Sequence, residues 1–511
     1  MSERVSKSIK NAEVNLIFYF LALFFSFFSR KIFLDCLGAE FIGLNGTLSN
    51  ILGYLNLAEL GIGGSIGYLL YKPLQQKDRA GVCEILSVFG YLYNWIGGII
   101  LGAGVLTSLF FPLIFSDTPL GLGIVYFSFY SILGSSLIGY FINYRQILLS
   151  ADQKNYLVAI YTQTASLAKT LLQIFFAYHY QNLYLWVAVE FLFGVVQCII
   201  LNWKIDKEYP WLKTAKRNGR RLLKKYPSVL TYTRQIFIHK IKDFIIYKSD
   251  ELFIFLFVSL KMVAFYGNYT IVVSRLGQLF SSVLGGMEAS IGNLVAEGNK
   301  ANTLKVFWEV TTIRHFVAGF LCFSTYHFIE PFISLWLGAE YILSREILVL
   351  LVLSMYIGTS RGSVDMFNAT HGLFADTWTA WLELLMTIVI TLIGGYLWGI
   401  AGILLNKVIT TTLVGLLWKP YYLFHSGLHL GYSVYWKGAS RNYLVSLASF
   451  AAAHFMFGFF YFPPANYLQL LGLCTAGVLI YLAVNLTLIY LFCKGAKDFY
   501  SRAMTILHLK K

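Results

Sequence analysis

Ionisable side chains inside one apolar stretch, residues 236–259, are the part of this sequence best suited to chemistry. At 100° per residue, five side chains there that carry a charge or a hydroxyl fall within an arc of about 100°, with Lys248 about 80° from the first of them. A charge at the centre of a bilayer costs about 2.5 kcal/mol or more unless it meets a partner or water. Two interpretations stay open, namely self-neutralising pairs that join two helices, or the wall of a polar cavity with titratable carboxylates. The residues of the arc are Lys240, Asp243, Tyr247, Asp250 and Glu251.

A second apolar stretch, residues 262–290, contains Arg275. Asn268 falls on about the same side of the expected helix, and no acidic residue lies within one turn of Arg275 along the sequence. We therefore expect the charge of this arginine to be met by an anion, and we include both residues in the predicted substrate site.

Two further cationic positions have competing explanations. Arg361 and Asp365 are four residues apart, so a structural pair is the favoured interpretation, although both remain candidates for the site. Arg30 and Lys31 end the first apolar stretch, where they could extend to the membrane interface or face a cavity. Other ionisable residues inside apolar stretches include Glu59, Lys169, Arg314, Glu383 and Lys407.

The elements that position these residues are membrane-spanning helices. The sequence is 57% hydrophobic with a mean hydropathy of +0.64 over 511 residues, and a helix needs about 20 apolar residues to cross a bilayer. All nine prolines fall outside the apolar stretches. We predict an all-α polytopic protein with about fourteen transmembrane helices, at 14–36, 41–70, 86–111, 121–148, 155–178, 182–203, 236–259, 262–290, 303–327, 346–368, 376–398, 400–418, 441–461 and 467–493.

Charge distribution predicts the orientation. With the N-terminus inside, most of the 40 lysines and arginines fall in cytoplasmic segments, whereas the exterior loops contain Lys261 and Arg345. Cytoplasmic retention of basic residues therefore places both termini inside, and it accounts for the net charge of +15 without a nucleic-acid partner.

The span pattern predicts two six-helix lobes. We assign residues 1–203 to an N-terminal lobe, 204–235 to a basic cytoplasmic linker, 236–425 to a C-terminal lobe, and 426–511 to two further spans and a basic tail. Two like halves are a recurrent transporter plan with a substrate site between them. The linker is expected to lie against anionic headgroups, and a specific lipid or protein site there is the alternative.

The excess of guanidinium and ammonium groups inside the spans predicts an anionic, phosphate-bearing substrate. The sequence has no Walker A lysine motif and no cluster with metal-ligand spacing, and its six dispersed cysteines suit packing. We therefore expect no cofactor, and transport driven by an ion gradient, the membrane potential or the substrate's own gradient.

Two segments resemble a known family. The stretch from Asp35 to Leu44, followed by Asn56-Leu57-Ala58-Glu59-Leu60-Gly61-Ile62-Gly63, is similar to the opening of Wzx-type polysaccharide flippases of the multidrug/oligosaccharidyl-lipid/polysaccharide exporter superfamily. Lys248-Ser249-Asp250 and Phe265-Tyr266-Gly267-Asn268-Tyr269 resemble the equivalent region of the second lobe.

This resemblance implies a two-lobed helical transporter with a cationic central cavity, in a bacterial inner membrane. It would flip an undecaprenyl-pyrophosphate-linked oligosaccharide to the outer leaflet by alternating access, alongside glycosyltransferases and a glycan polymerase. Ser274-Arg275 matches a cavity position of the lipid II flippase branch, and Arg30 is a second match. The implied site for pyrophosphate and glycan is Arg275, Arg30, Lys31, Lys240, Lys248, Arg361 and Asn268, and the candidates for coupling to H⁺ or Na⁺ are Asp250, Glu251, Asp365 and Glu59.

Three alternatives remain. A lipid II flippase and a drug or cation antiporter belong to the same superfamily, and the antiporter is disfavoured by the two extra spans and the cationic interior. A membrane polysaccharide polymerase or ligase would be expected to have a large exterior loop, whereas the longest predicted exterior connection is residues 328–345. We therefore expect no enzymatic activity.

Overall fold

The protein is almost entirely helical. The computed structural model describes residues 3–59, 62–116, 118–152, 154–227, 229, 249–285, 291, 294–295, 297–373 and 376–508, and this part of the chain contains no strand. The predicted all-α class is confirmed. Within the described residues, eight helical segments are long and apolar enough to cross a membrane, so this is a multi-pass membrane protein. The count of fourteen spans stays a prediction.

The chain forms two compact units. Unit 1 comprises Met1–Phe255 with Ser259–Ala264, and unit 2 comprises Leu256–Val258 with Phe265–Lys511. The predicted division into two lobes, a linker and a C-terminal region stays a prediction. The main helices in chain order are α1 (Glu3–Leu37), α2 (Ala39–Leu55), α3 (Ile62–Gln75), α4 (Arg79–Ser108), α5 (Leu122–Phe141), α6 (Asn155–Tyr180), α7 (Leu183–Glu208), α8 (Asp250–Phe257), α9 (Leu260–Gly285), α10 (Lys300–Trp336), α11 (Arg345–Ser360), α12 (Gly362–Thr370), α13 (Thr377–Thr410), α14 (Tyr432–Gly458), α15 (Tyr467–Phe492) and α16 (Lys494–His508).

In unit 1, α1 packs along α6, and α7 packs against both α5 and α6. Asn182 caps α7, because its side-chain oxygen accepts hydrogen bonds from the two backbone N–H groups of Tyr184 and Leu185. The ring of Trp186 in the first turn of α7 then meets Phe33 and Phe41 edge-on, with centroids 5.4 Å and 5.5 Å away. One aromatic side chain therefore joins α7 to both α1 and α2.

In unit 2, α10 is the central element. It packs against α11, α14, α15 and α16. The Phe323 ring of α10 stacks on Tyr481 of α15 with centroids 4.9 Å apart, and Gly319 leaves the space that the Tyr481 hydroxyl occupies. Small residues allow close helix approach inside a membrane, where water supplies no hydrophobic force between helices.

Two helices continue through prolines that the sequence analysis placed outside the spans. Pro73 lies inside α3, and Pro331 lies inside α10, which extends to Trp336 instead of ending near residue 327. The helices therefore extend past the predicted span edges, and the ends of the membrane-spanning parts stay a prediction. A proline removes one intrahelical donor, and helices in membranes tolerate that loss when neighbouring groups satisfy the freed carbonyl.

α13 is broken at Gly399, where the sequence analysis separated two spans. Gly399 has φ 57° and ψ −130°, a conformation that only glycine adopts readily. The two halves fold against each other so closely that a Cβ on Gly402 would lie 1.9 Å from the Gly394 carbonyl oxygen. The glycines therefore make a tight helical hairpin within one apolar segment.

Replacement of Gly399 by alanine should destabilise the protein by about 1–3 kcal/mol, because the hairpin forces a strained backbone on any side chain. The control is Gly102→Ala, at an exposed helical position of α4 where an added Cβ meets nothing within 4 Å. Thermal unfolding of the purified protein in detergent measures both. Equal unfolding temperatures for the two variants would show that the break tolerates a side chain.

Candidate functional site

Unit 1 encloses a carboxylate between two tyrosines. Glu59 ends the single 3₁₀ turn Asn56–Glu59 that follows α2. Its Oε2 accepts a hydrogen bond from the Tyr140 hydroxyl of α5 at 2.6 Å, and its Oε1 accepts one from the Tyr93 hydroxyl of α4. Hydroxyl donors stabilise a carboxylate through charge-assisted hydrogen bonds. Three elements thereby converge on one acidic group.

This carboxylate lines a cavity of about 460 Å³. The cavity is partly open and lies among α3, α4, α5 and the start of α6, and its wall carries amides and hydroxyls besides Glu59. Such a polar lining can hold water or a cation inside a helix bundle. The polar lining residues are Asn56, Glu59, Tyr93, Ser136, Tyr140, Tyr144, Gln146, Ser150 and Asn155.

A second polar cavity of about 390 Å³ shares Asn56 and Ser136 with the first. Lys169 of α6 and Glu190 of α7 form an ion pair in its wall, with 2.6 Å between Nζ and Oε1. The buried Gln173 donates to the other carboxylate oxygen of Glu190 at 3.1 Å. Lys169 was predicted without a partner. Glu190, an acid in the next predicted span, was the signal that could have identified its partner.

The predicted coupling acids on α8 contact α2. Asn50 donates to Glu251 Oε2 at 2.7 Å, at a place where Gly46 leaves room for the carboxylate. Asp250 is buried, and Ser249, the residue before it, hydrogen-bonds Tyr54 of α2. Both acids therefore face α2 of unit 1. Lys240 and Lys248, the bases proposed to neutralise them, lie outside the described residues.

The two basic residues near the end of α1 differ in their exposure. Arg30 is half-buried, and its Nη2 donates to the Ala264 carbonyl at 3.0 Å. Lys31 is exposed. The Arg30 side chain thus turns into unit 1, and the choice between interface and cavity stays a prediction for both residues.

Unit 2 holds Arg275 and Asn268 on one helix, α9. They are seven residues apart, which places them on the same face two turns from each other. Asn268 is completely buried, and Arg275 is half-buried.

Arg361 and Asp365 form the predicted pair, with 3.2 Å between Nε and Oδ2. Arg361 lies at the junction of α11 and α12, and its guanidinium packs on Gly415. The guanidinium of Arg314 from α10 packs on Gly362, the next residue along the chain. Arg314 of α10 therefore contacts the residue next to Arg361, a proximity that the sequence did not predict because the two arginines are distant along the chain.

Two further buried acids among the described residues of unit 2 have basic partners. Asp376 Oδ2 accepts from Lys419 at 2.7 Å and from the Trp418 indole at 3.1 Å. Glu309, almost inaccessible on α10, pairs with Arg502 of α16. Among the described residues, no group of three histidine, cysteine or acidic side chains could hold a metal ion.

The predicted site residues are thus divided between the units. Unit 1 contains Arg30, Lys31, Glu59, Asp250 and Glu251, and unit 2 contains Asn268, Arg275, Arg361 and Asp365. The roles assigned to them stay predictions.

Comparison with solved structures identifies the fold. The chain is similar to the lipid II flippase MurJ in an inward closed conformation, with a TM-score of 0.67 and 15% identity over 93% of this chain and 98% of MurJ. It is also similar to an inward-facing multidrug resistance transporter of the MATE family and MOP superfamily, with a TM-score of 0.54 and 15% identity over 77% of this chain and 93% of that one. No protein-family model matches the sequence, and no curated protein is significantly similar to it in sequence. The chain has the fold shared by these membrane flippases and transporters.

Lys169 and Glu190 should be energetically coupled, because removal of either leaves a charge inside the helix bundle. A double-mutant cycle with Lys169→Met and Glu190→Gln should give an interaction free energy of about 0.5–3 kcal/mol. The same cycle with Lys305→Met and Asp498→Asn, a longer pair with 3.8 Å between Nζ and Oδ1 and a more exposed lysine, is the control and should give less than about 1 kcal/mol. Denaturation in mixed micelles measures the unfolding free energies, and additive effects at Lys169 and Glu190 would contradict the coupling.

Proposed function

We propose that this chain is a flippase for an undecaprenyl-pyrophosphate-linked oligosaccharide, such as a repeat unit of O-antigen, capsule or exopolysaccharide. It works in the inner membrane of a bacterium, with both termini in the cytoplasm, and moves the glycan to the outer leaflet by alternating access. Its working partners are the lipid-linked substrate, the surrounding lipids, and the glycosyltransferases and polymerase of the same route. It carries out no bond chemistry of its own.

The observation that carries this proposal is the fold similarity to a lipid-linked precursor flippase over 93% of the chain. The similarity to the MATE transporter covers a smaller share of the chain, 77%. The sequence resemblance to Wzx-type flippases adds the oligosaccharide as the cargo.

The arginines support a pyrophosphate as the recognised group. Arg314 and Arg361 lie at one junction in unit 2, and Arg275 lies half-buried on α9. A guanidinium donates two parallel hydrogen bonds to phosphate oxygens and stays charged at any physiological pH, so it suits a pyrophosphate better than a cationic drug.

The carboxylates support coupling to H⁺ or Na⁺. Glu59 lines a polar cavity where a proton or a small cation can reach it, whereas Asp250 and Glu251 contact α2 and Asp365 is paired with Arg361. A carboxylate in poorly solvated surroundings gains most from a proton or cation. Glu59, together with Asp250 and Glu251, is therefore a candidate for the carboxylate that couples transport to H⁺ or Na⁺.

Lipid II is the second candidate cargo, favoured by the similarity to MurJ. It shares the undecaprenyl pyrophosphate and differs in the sugar, so the arginines serve either molecule equally well. Glycan-specific groups in unit 1 or unit 2 would decide between them.

Arg275→Ala should reduce transport by about tenfold to a hundredfold, the equivalent of the 1.5–3 kcal/mol typical of a hydrogen bond to a charged group. Arg275→Lys should recover only part of the loss, because lysine lacks the bidentate fork. The control is Arg441→Ala, an exposed arginine of α14. Flipping of a fluorescent undecaprenyl-pyrophosphate oligosaccharide in proteoliposomes measures all three, and wild-type flipping by Arg275→Ala would remove this residue from the site.

An imposed pH or Na⁺ gradient should accelerate flipping by the parent protein. Glu59→Gln, Asp250→Asn and Glu251→Gln, each alone, should show which carboxylate carries the effect, because a neutral amide accepts neither ion. Flipping without any gradient serves as the baseline for every variant. If neither gradient changes the rate of the parent, ion coupling is excluded and these acids have structural roles.

A further inference from the structure

The basic linker after α7 is folded and docked in unit 1. We call residues 211–226 the strap. The Ala215 backbone N–H donates to Ser87 Oγ of α4 at 2.9 Å. Gly219 lies against Tyr91 so closely that a Cβ would be 2.2 Å from the Tyr91 Cβ. The strap is therefore held along the first half of α4 by specific contacts.

Two basic residues of the strap contact the neighbouring helices, Lys216 half-buried and Lys225 exposed. Lys216 Nζ donates to the Phe141 carbonyl at 2.6 Å and to Asn94 Oδ1 at 3.3 Å, and burial together with Arg145 lowers its pKa. Lys225 pairs with Glu84 at 2.6 Å. These two cations are used to attach the strap to α4 and α5.

Five other cations of the strap point outward and are exposed. Four of them follow the spacing i, i+3, i+4, i+7 across the short helix Gly219–Lys225 and the turn before it, which places them on one face. Gly219 on the opposite side is buried, and residues 209–235 contain no acidic residue. Docking therefore fixes an exposed cationic face that contains no acidic residue of the strap, made of Lys213, Arg217, Arg220, Arg221 and Lys224.

Two exposed tryptophans near the strap indicate the depth of this cationic face in the membrane. Trp95 follows Asn94, the residue that Lys216 contacts, and its side chain is 63% exposed. Trp203, near the end of α7, is 58% exposed and has Lys207 over its ring. Tryptophan is enriched at the membrane–water interface. The strap therefore lies at headgroup level, within reach of lipid phosphates.

We propose that the outer face of the strap binds anionic phospholipid headgroups. Because its backbone is docked, the strap holds the cations at fixed distances from one another. Their electrostatic attraction acts at the depth where lipid phosphates lie. Lys216 links this face to Phe141, the residue after Tyr140, which binds Glu59. Bound lipid would thus hold the wall of the unit 1 cavity in place. This inference is independent of the transported substrate.

The test uses the full-length protein reconstituted in phosphatidylcholine vesicles that contain spin-labelled phosphatidylglycerol or spin-labelled phosphatidylcholine. Electron spin resonance of the lipid in contact with the protein gives its preference for the anionic headgroup. Each interfacial cation contributes about a fivefold effect at low salt, so the strap variant K213Q/R217Q/R220Q/R221Q/K224Q should lose at least about tenfold in preference. The loss should shrink as salt is added.

The matched control removes five exposed lysines elsewhere, K77Q/K300Q/K437Q/K494Q/K497Q, and should keep most of the preference. Equal losses in both variants would show that only net charge matters and would overturn the proposal. Gly219→Leu keeps every charge but displaces the docked helix, and it should weaken the preference. An unchanged preference in Gly219→Leu would show that docking plays no part.

Discussion

The cost of charge inside a bilayer is the constraint on which the rest of this structure depends. Each ionisable group in an apolar helix costs about 2.5 kcal/mol or more at the bilayer centre unless the fold supplies a counter-charge, a donor or water. The described residues show three solutions: ion pairs between helices, as in Lys169–Glu190, hydroxyl donors, as around Glu59, and backbone carbonyls, as for Arg30. Packing is organised around these contacts.

The same contacts distinguish charged side chains with a structural role from those that are available for function. Asp376 and Glu309 are tied to Lys419 and Arg502, which suits a role in holding helix ends. Glu59 differs because it lines a cavity as well as accepting two hydrogen bonds. A group that is held in place and still accessible is the kind that can bind an ion during a transport cycle.

The sequence predicted the helical class because long apolar runs are local features, and the edge between its spans 376–398 and 400–418 coincides with the helix break at Gly399. The i, i+4 pair Arg361–Asp365 was predictable for the same reason. The grouping of Arg314 with Arg361, the Tyr93–Glu59–Tyr140 bridge and the docked strap were not, because each joins residues that are distant in sequence. The continuation of α10 through Pro331 was not predicted either. Hydropathy and the position of a proline do not report whether neighbouring groups satisfy the carbonyl that the proline leaves without a donor.

The central claim is that this fold moves a pyrophosphate-linked glycan. The most direct measurement is transport by the purified parent protein in proteoliposomes, with a fluorescent undecaprenyl-pyrophosphate oligosaccharide, lipid II and a cationic dye as parallel probes. The account predicts movement of the lipid-linked oligosaccharide between leaflets and none of the dye. Transport of the dye, with both lipid-linked probes left in their original leaflet, would contradict it.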